Sequence, residues 1–262
     1  MCTVSWLAGP AGYELFCNRD ERLARRAALA PSTKLSRGVR FLAPTDGEAG
    51  GAWIAVNEHG LTLCLLNRYD GVNAHVARGH RSRGLLLPDL MSCDDPAGVM
   101  RAVARAALSQ FQPFTLLALA PGAEPAVAGW TGGRLLVSKE GCDSLMPLTS
   151  SSFAGGEVAR ARGELFRRTS GPASPTADLL LRFHQSHDPE PGPFSVCMHR
   201  ADAATVSFSR VKVTPRAVEF FYRPGAPCAG APASRTSLPR ASLRGTLRRE
   251  PACSVGSAGG VV

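Results

Sequence analysis

Short apolar runs of period two, each closed by a turn-forming cluster, open this sequence and commit its first third to antiparallel sheet. Cys2 to Leu7 alternates, Gly9 to Gly12 supplies a Gly-Pro-Ala-Gly turn, and Tyr13 to Cys17 returns as a second strand ending in Asn18-Arg19-Asp20-Glu21. A second hairpin follows from Ala52 to Val56, the turn Asn57-Glu58-His59-Gly60, and Leu61 to Asn67. The period then changes. Leu85, Leu86, Leu87, Leu90 and Met91 share one broad helical face, and Asp94-Asp95-Pro96 caps a further helix carrying Val99, Val103, Ala106 and Ala107. Strands return over Phe114 to Ala120, Ala126 to Trp130, and Arg134 to Ser138 beyond the Gly132-Gly133 turn. Val158, Ala161, Leu165 and Phe166 mark one later helix and Ala177, Leu180, Leu181 and His184 another. Phe194 to His199, Thr205 to Val213 and Val218 to Tyr222 read as closing strands. The resulting β, α, β, α, β order is neither βαβ-repeating nor all-β, so it predicts an α+β domain of sheets covered by helices.

With 262 residues and 44% hydrophobic content the chain can bury one large core, and one domain is expected over 1–223. Residues 224–262 are rich in Pro, Ala, Ser and Gly and carry Arg235, Arg240, Arg244, Arg248 and Arg249 against Glu250, which predicts a basic disordered tail. That tail holds much of the net charge of +9. Without it, and with no aromatic residues interleaved among basic ones, the case for a nucleic-acid partner falls away. The eight cysteines contain no Cys-x-x-Cys pair. Cys17, Cys64 and Cys197 lie in apolar runs where a free thiol acts as a small core hydrophobe. Free thiols, no basic-then-apolar leader and no apolar stretch of membrane-spanning length predict a reducing, cytoplasmic setting without a transmembrane segment. Neither a cofactor nor a metal is expected. His184 and His187 with Cys197 and His199 offer zinc-type donors, but the third ligand is unconstrained by spacing.

Cys2 is the residue with the sharpest chemistry. Removal of Met1 places a thiol and an α-amine on one residue, and an amine of reference pKa about 7.7 to 8.0 can serve as that thiol's general base. Arg19 and Asp20 close the strand paired with Cys2, and Asn67 closes the second hairpin, so all three are candidates to line a site.

In order along the chain, Cys2-Thr3-Val4, Asn18-Arg19-Asp20-Glu21, Gly50-Gly51-Ala52-Trp53, Asn57-Glu58-His59-Gly60, Asn67-Arg68-Tyr69, Ser82-Arg83-Gly84, Thr149-Ser150-Ser151, Cys197-Met198-His199-Arg200 and Ala204-Thr205-Val206-Ser207 follow one pattern. In these segments the chain resembles the NRDE-domain family, the homologues of transport and Golgi organization protein two, over residues 2 to about 222. The resemblance implies an N-terminal-nucleophile hydrolase fold, a four-layer αββα sandwich, with roles proposed in secretory organisation, lipid metabolism and haem handling.

Choloylglycine hydrolases and penicillin V acylases are similar more distantly, through their Met-Cys start and a hairpin like Asn57-Glu58-His59-Gly60-Leu61 with Leu66-Asn67. That similarity implies Cys2 as nucleophile, Asp20 as its carboxylate partner and Asn67 as an oxyanion donor. It departs where those enzymes carry an arginine, here Cys17, and where their Leu-Thr-Asn-Asn reads Leu148-Thr149-Ser150-Ser151. Their helix arginine is matched by Arg160 or Arg162, which spacing does not separate. Asn18, Arg19, Arg83, Ser151 and Arg162 form the substrate-binding set, with Arg83 a cation suited to a carboxylate or phosphate. Trp53 reads as core.

The expected activity is hydrolysis or transfer of an acyl group at an amide or thioester. The rivals are a carrier of an amphipathic anionic ligand such as an acyl-CoA or haem, and a membrane-traffic scaffold whose tail meets anionic lipid. Association with a mitochondrion or Golgi is compatible with either. Oligomeric state is not written in the sequence.

Overall fold

A computed structural model of the chain describes residues 2–9, 11–69, 81–138, 146–171 and 175–241. Two antiparallel sheets lie face to face. The first is ordered β10-β1-β2-β11-β12-β13, from Leu148–Ser150, Cys2–Gly9, Gly12–Arg22, Ala203–Val213, Ala217–Pro224 and Ser234–Pro239. The second runs β3 to β9 in chain order, from Leu29–Ser36, Val39–Thr45, Ile54–Asn57, Thr62–Asn67, Phe114–Leu119, Ala126–Trp130 and Leu135–Val137. Period-two patterning decides which side chains meet between the sheets. Val4, Trp6, Leu15 and Cys17 from the first sheet pack there against Ile54, Val56, Cys64 and Leu117 of the second.

The outer faces are covered by helices. On the second sheet, α1 (Leu86–Leu90) and α2 (Pro96–Arg105) bury Leu86, Leu87, Leu90, Val99 and Val103 against Leu61, Leu63 and Leu116. Asp95 caps α2 by accepting the Gly98 N–H at 2.6 Å, with Pro96 at the first helical position as the sequence signal requires. On the first sheet, α3 (Gly155–Ser170) and α4 (Ala177–Gln185) pack Leu165, Phe166, Leu180 and Phe183 onto Phe16 and Phe208. Each of these Leu or Phe side chains contributes up to roughly 1.5–3 kcal/mol, the value for complete burial. The architecture is the four-layer αββα sandwich. No helix among the described residues is long and apolar enough to cross a membrane.

Several expectations need correction. Residues 29–45 form β3 and β4, an unread hairpin at the edge of the second sheet, where Leu29 and Leu35 face solvent and so hide the alternation. Phe194 to His199 is no strand. It is a buried connection whose carbonyls bond side chains: Arg162 donates to Phe194 O, Asn18 to Val196 O and Ser195 to Cys197 O. The tail begins later than 224, because a 3-10 turn at Pro227–Ala229 leads into β13, whose backbone pairs with β12 from Ala217↔Pro239 to Tyr222↔Ser234. Residues 242–262 lie outside the described residues. Cys17, Cys64 and Cys197 are free and buried, but Cys93 is disulfide-bonded, against the reading that left every thiol reduced.

Candidate active site

Strand alternation divides the residues around Cys2. β1 and β2 pair with Cys2 opposite Arg19 and Thr3 opposite Asn18, so Cys2 and Arg19 share one face while Thr3, Asn18 and Asp20 share the other. On the Cys2 face, a cavity of about 130 Å³ is lined by Cys2, Arg19, Trp53, Asn67 and Arg83, with Glu21, Arg25 and Asp46 at its polar wall. Asn67 also borders a second hollow of about 630 Å³, whose wall includes Tyr69, Ser150 and Ser151.

The polar wall is an ion-pair network. Asp46 accepts from Arg19, from Arg25 Nε at 2.9 Å and Nη2 at 2.7 Å, and from the Ala49 N–H at 2.8 Å. Burial pushes the Asp46 carboxyl up, but the Arg25 bond, the Ala49 N–H and the Arg19 charge outweigh it and hold it at about 2. Arg19 also lies 4.2 Å over the Trp53 ring, so Trp53 is both a core residue and a cation platform. Arg83 is different. Its Nη1 donates to Pro113 O at 2.9 Å, and it pairs with no carboxylate among the described residues. Burial lowers its pKa, while the neighbouring Tyr69 and Glu21 act the other way.

Two glycines set this wall. A Cβ on Gly51 would stand 2.5 Å from Gly84 C, and one on Gly84 would stand 2.8 Å from Ala52 O. The bare backbones let the Ala52 N–H reach Gly84 O at 3.0 Å, which brings Arg83 beside Trp53. This contact explains why Gly-Gly-x-Trp and Ser-Arg-Gly occur together.

Cys2 is 5% exposed and its N–H donates to Ser150 Oγ at 3.1 Å. Its side chain shares a core cluster with those of Cys17 and Cys64, and the Cys17 thiol itself donates to Asn18 O at 3.7 Å. The Cys17 contact and then burial raise the Cys2 pKa well above an ordinary thiol's, while the positive start of the chain lowers it. Asn67 Nδ2 donates to Tyr69 Oη at 3.0 Å.

The other face is dry. Asp20 is fully buried, accepting from Thr205 Oγ1 at 2.7 Å and from Arg162 Nη1 at 3.4 Å. Arg162 also donates to Thr3 Oγ1 at 2.6 Å and Thr149 Oγ1 at 3.1 Å. Asn18 donates to His184 O and Val196 O, both at 2.9 Å, while its Oδ1 meets His184 Nδ1 at 3.1 Å and His184 Nε2 meets Ser5 Oγ at 2.9 Å. Burial, helped by the Arg162 charge, holds the His184 pKa down at about 3, so the ring is neutral.

The expected set is therefore partly gathered. Cys2, Arg19, Asn67 and Arg83 line the cavity. Asp20, Asn18 and Arg162 do not, because all three are buried on the helix-facing side; of the two candidate helix arginines, Arg162 is the inward one and Arg160 is 70% exposed. Ser151 borders the larger hollow, but its hydroxyl donates to Phe153 O at 2.7 Å, and Ser150 is the hydroxyl that reaches Cys2. Asp46, Glu21 and Ser150 were missed. Asp46 reads as a turn residue, whereas the parity of a strand opposite Cys2 would have favoured Ser150 over Ser151.

A six-stranded and a seven-stranded antiparallel sheet face to face, flanked by helices, with a cysteine at the start of the central hairpin, define an N-terminal-nucleophile hydrolase-like sandwich. The chain is similar to the C2A variant of conjugated bile acid hydrolase from Clostridium perfringens, with TM-score 0.52 and 15% identity over 90% of this chain and 92% of that one. It is similar to penicillin V acylase from Agrobacterium tumefaciens with TM-score 0.50 and 9% identity over 86% and 83%. At such identities the likeness shows the fold alone. Residues 1–128 match the family model described as Transport and Golgi organisation 2, in agreement with the motifs in that half of the chain. No curated protein sequence matches the chain.

Proposed function

We propose that the protein is a cysteine N-terminal-nucleophile hydrolase or acyl transferase, acting on the amide or thioester of a small substrate that carries an anionic group. The observation that carries this reading is the convergence of Cys2, Asn67 and the carboxylate-free Arg83 on one cavity. With Met1 removed, the Cys2 sulfur attacks the acyl carbon and the new α-amine takes the thiol proton. The Cys2 thiol pKa stands well above the ordinary value, the Cys17 contact and burial raising it; the positive start of the chain acts against that rise, and processing brings that charge one residue closer. Asn67 turns its amide from Tyr69 to the developing oxyanion, and the ammonium returns its proton to the leaving group. Water or an acceptor amine then releases the acyl group. Asp20 acts behind the sheet through Thr3, Arg162 and the start of β1 rather than by touching substrate.

The carrier reading draws support from the burial and raised pKa of the Cys2 thiol and from the roomier hollow of about 630 Å³ next door. One experiment separates the two. Intact mass should give a chain beginning at Cys2, and Cys2→Ala should lower turnover of an N-acyl amino acid and acyl-thioester panel by at least about a thousandfold. Its melting transition should change by under about 1 kcal/mol. Undiminished turnover by Cys2→Ala removes the nucleophile. Equal ligand affinity without turnover in either form favours the carrier.

A further inference from the structure

At the edge of the helix layer, four side chains with metal-type donors converge from three segments. His187 follows α4, Cys197 and His199 flank Met198 on the connection to β11, and Cys228 sits in the 3-10 turn after β12. Their ligating atoms all lie within 4.8 Å of one another. Cys197 Sγ is 3.5 Å from His199 Nε2, and Cys228 Sγ is 3.4 Å from the same nitrogen. A tetrahedral ion with Zn–S about 2.3 Å and Zn–N about 2.0 Å has sulfur–nitrogen edges of roughly 3.5 Å, so these spacings need almost no adjustment. The imidazoles of His187 and His199 stand 5.0 Å apart at 67°, close enough to aim nitrogens at a shared point.

A second observation points the same way. His187 Nε2 is buried and has no hydrogen-bond partner, although a buried ring nitrogen left unpaired is destabilising. Cys197 and Cys228 are free thiols in contact with the same histidine rather than joined to each other.

We propose that His187, Cys197, His199 and Cys228 bind a structural zinc ion. Two thiols and two imidazoles suit zinc over calcium or magnesium, and four protein ligands fill a tetrahedral shell without leaving a position for substrate. Binding releases the two thiol protons to solvent, so two thiolates neutralise the dication and the neutral imidazoles complete the shell. The ion ties the end of α4, the approach to β11 and the β12–β13 connection together. It also stands behind the candidate active site. The Met198 N–H donates to Thr205 Oγ1 at 2.8 Å, and that hydroxyl donates to Asp20 Oδ1 at 2.7 Å.

Spacing brought His187, Cys197 and His199 to notice but not Cys228. His187, Cys197, His199 and Cys228 give no short repeated motif, and sequence grouping took His184, which is instead locked to Asn18 and Ser5.

The test uses the full chain purified without chelators. Elemental analysis is expected to give about one zinc per chain. Chelator-stripped protein should bind Co²⁺ with thiolate charge-transfer and tetrahedral d–d bands that Zn²⁺ abolishes. Cys228→Ser, at an exposed thiol, and His187→Gln should each weaken Co²⁺ binding by more than about 100-fold, while His59→Gln, on the other sheet, leaves it unchanged. Failure of folded, stripped wild-type protein to develop those bands overturns the proposal without recourse to any variant. So does wild-type affinity in both ligand variants, or thiol titration showing Cys197 joined to Cys228 in the native protein.

Discussion

Cys17 and Arg19 leave β2 toward the second sheet, whereas Asn18 and Asp20 leave it toward α3 and α4. The first face ends in a solvent-reached cavity with a ring of arginines and acids, and the second in a closed network of Asp20, Arg162, Asn18 and His184. A four-residue tag that looks like one functional unit in the sequence is thus two, joined by a single backbone. Chemistry is available on the wet side; the dry side fixes where the hairpin stands.

The largest effect that breaks this division comes from Arg162→Met. It leaves the Asp20 carboxylate buried without its guanidinium, so unfolding free energy should fall by roughly 3–5 kcal/mol in a urea titration. A change below about 1 kcal/mol would mean that the pair holds nothing together. Next is Gly84→Ala, which forces a Cβ against Ala52 and should cost roughly 1–3 kcal/mol while displacing Arg83 from the cavity. Calorimetry and ligand titration report the two consequences separately.

The dry side also predicts a pH response. His184 titrates at about 3 when folded and at its ordinary 6.5 when unfolded, so the unfolded chain takes up the proton first. Its contribution is fully present above that unfolded value and is lost as pH falls toward the folded one, by up to about 1.4 kcal/mol per pH unit. His184→Gln should flatten that slope; a slope unaltered above the carboxylate range would show that the ring is not held neutral. Smallest in stability is Arg83→Gln, expected to cost under about 1 kcal/mol yet raise KM for an anionic substrate about tenfold with little change in kcat. Equal KM for anionic and neutral substrates in wild type would deny Arg83 that role.

Both hairpins that build the site were legible because their apolar positions alternate and glycine marks the turns; Gly60 adopts φ 86° as its turn demands. The edge strands were not. β3 carries Leu29 and Leu35 outward and buries Pro31 and Ser36, the reverse of the pattern that periodicity detects. β13 is Ser-Arg-Thr-Ser-Leu-Pro, polar enough to pass for tail, and owes its order to ladder bonds with β12 that no side chain announces. Phe194 to His199 misled in the other direction, since an apolar run says only that a segment is buried. At the site, Cys2, Arg19, Asn67 and Arg83 could be found from motif ends. Asn18, Asp20 and Arg162 lie on the helix-facing side instead, because facing is a matter of parity and depth, and Asp46 was invisible because its charged partners are distant in sequence.

Parity across the sheet is itself adjusted at one residue. The pairing of β11 with β2 shifts register between Thr205 and Ser207, so Thr205 stands opposite Asp20 while Ser207 stands opposite Arg19. Val206 is the extra residue, and its carbonyl accepts from the Gly225 N–H at 2.8 Å instead of joining that ladder. Straightening the strand so that this valine joins the ladder would turn one half of β11 over relative to the other: either Thr205 swings away from the buried carboxylate, or Phe208 is driven out from among Phe16 and the helices. A single surplus residue thus lets one strand serve a polar anchor and a greasy layer on the same side.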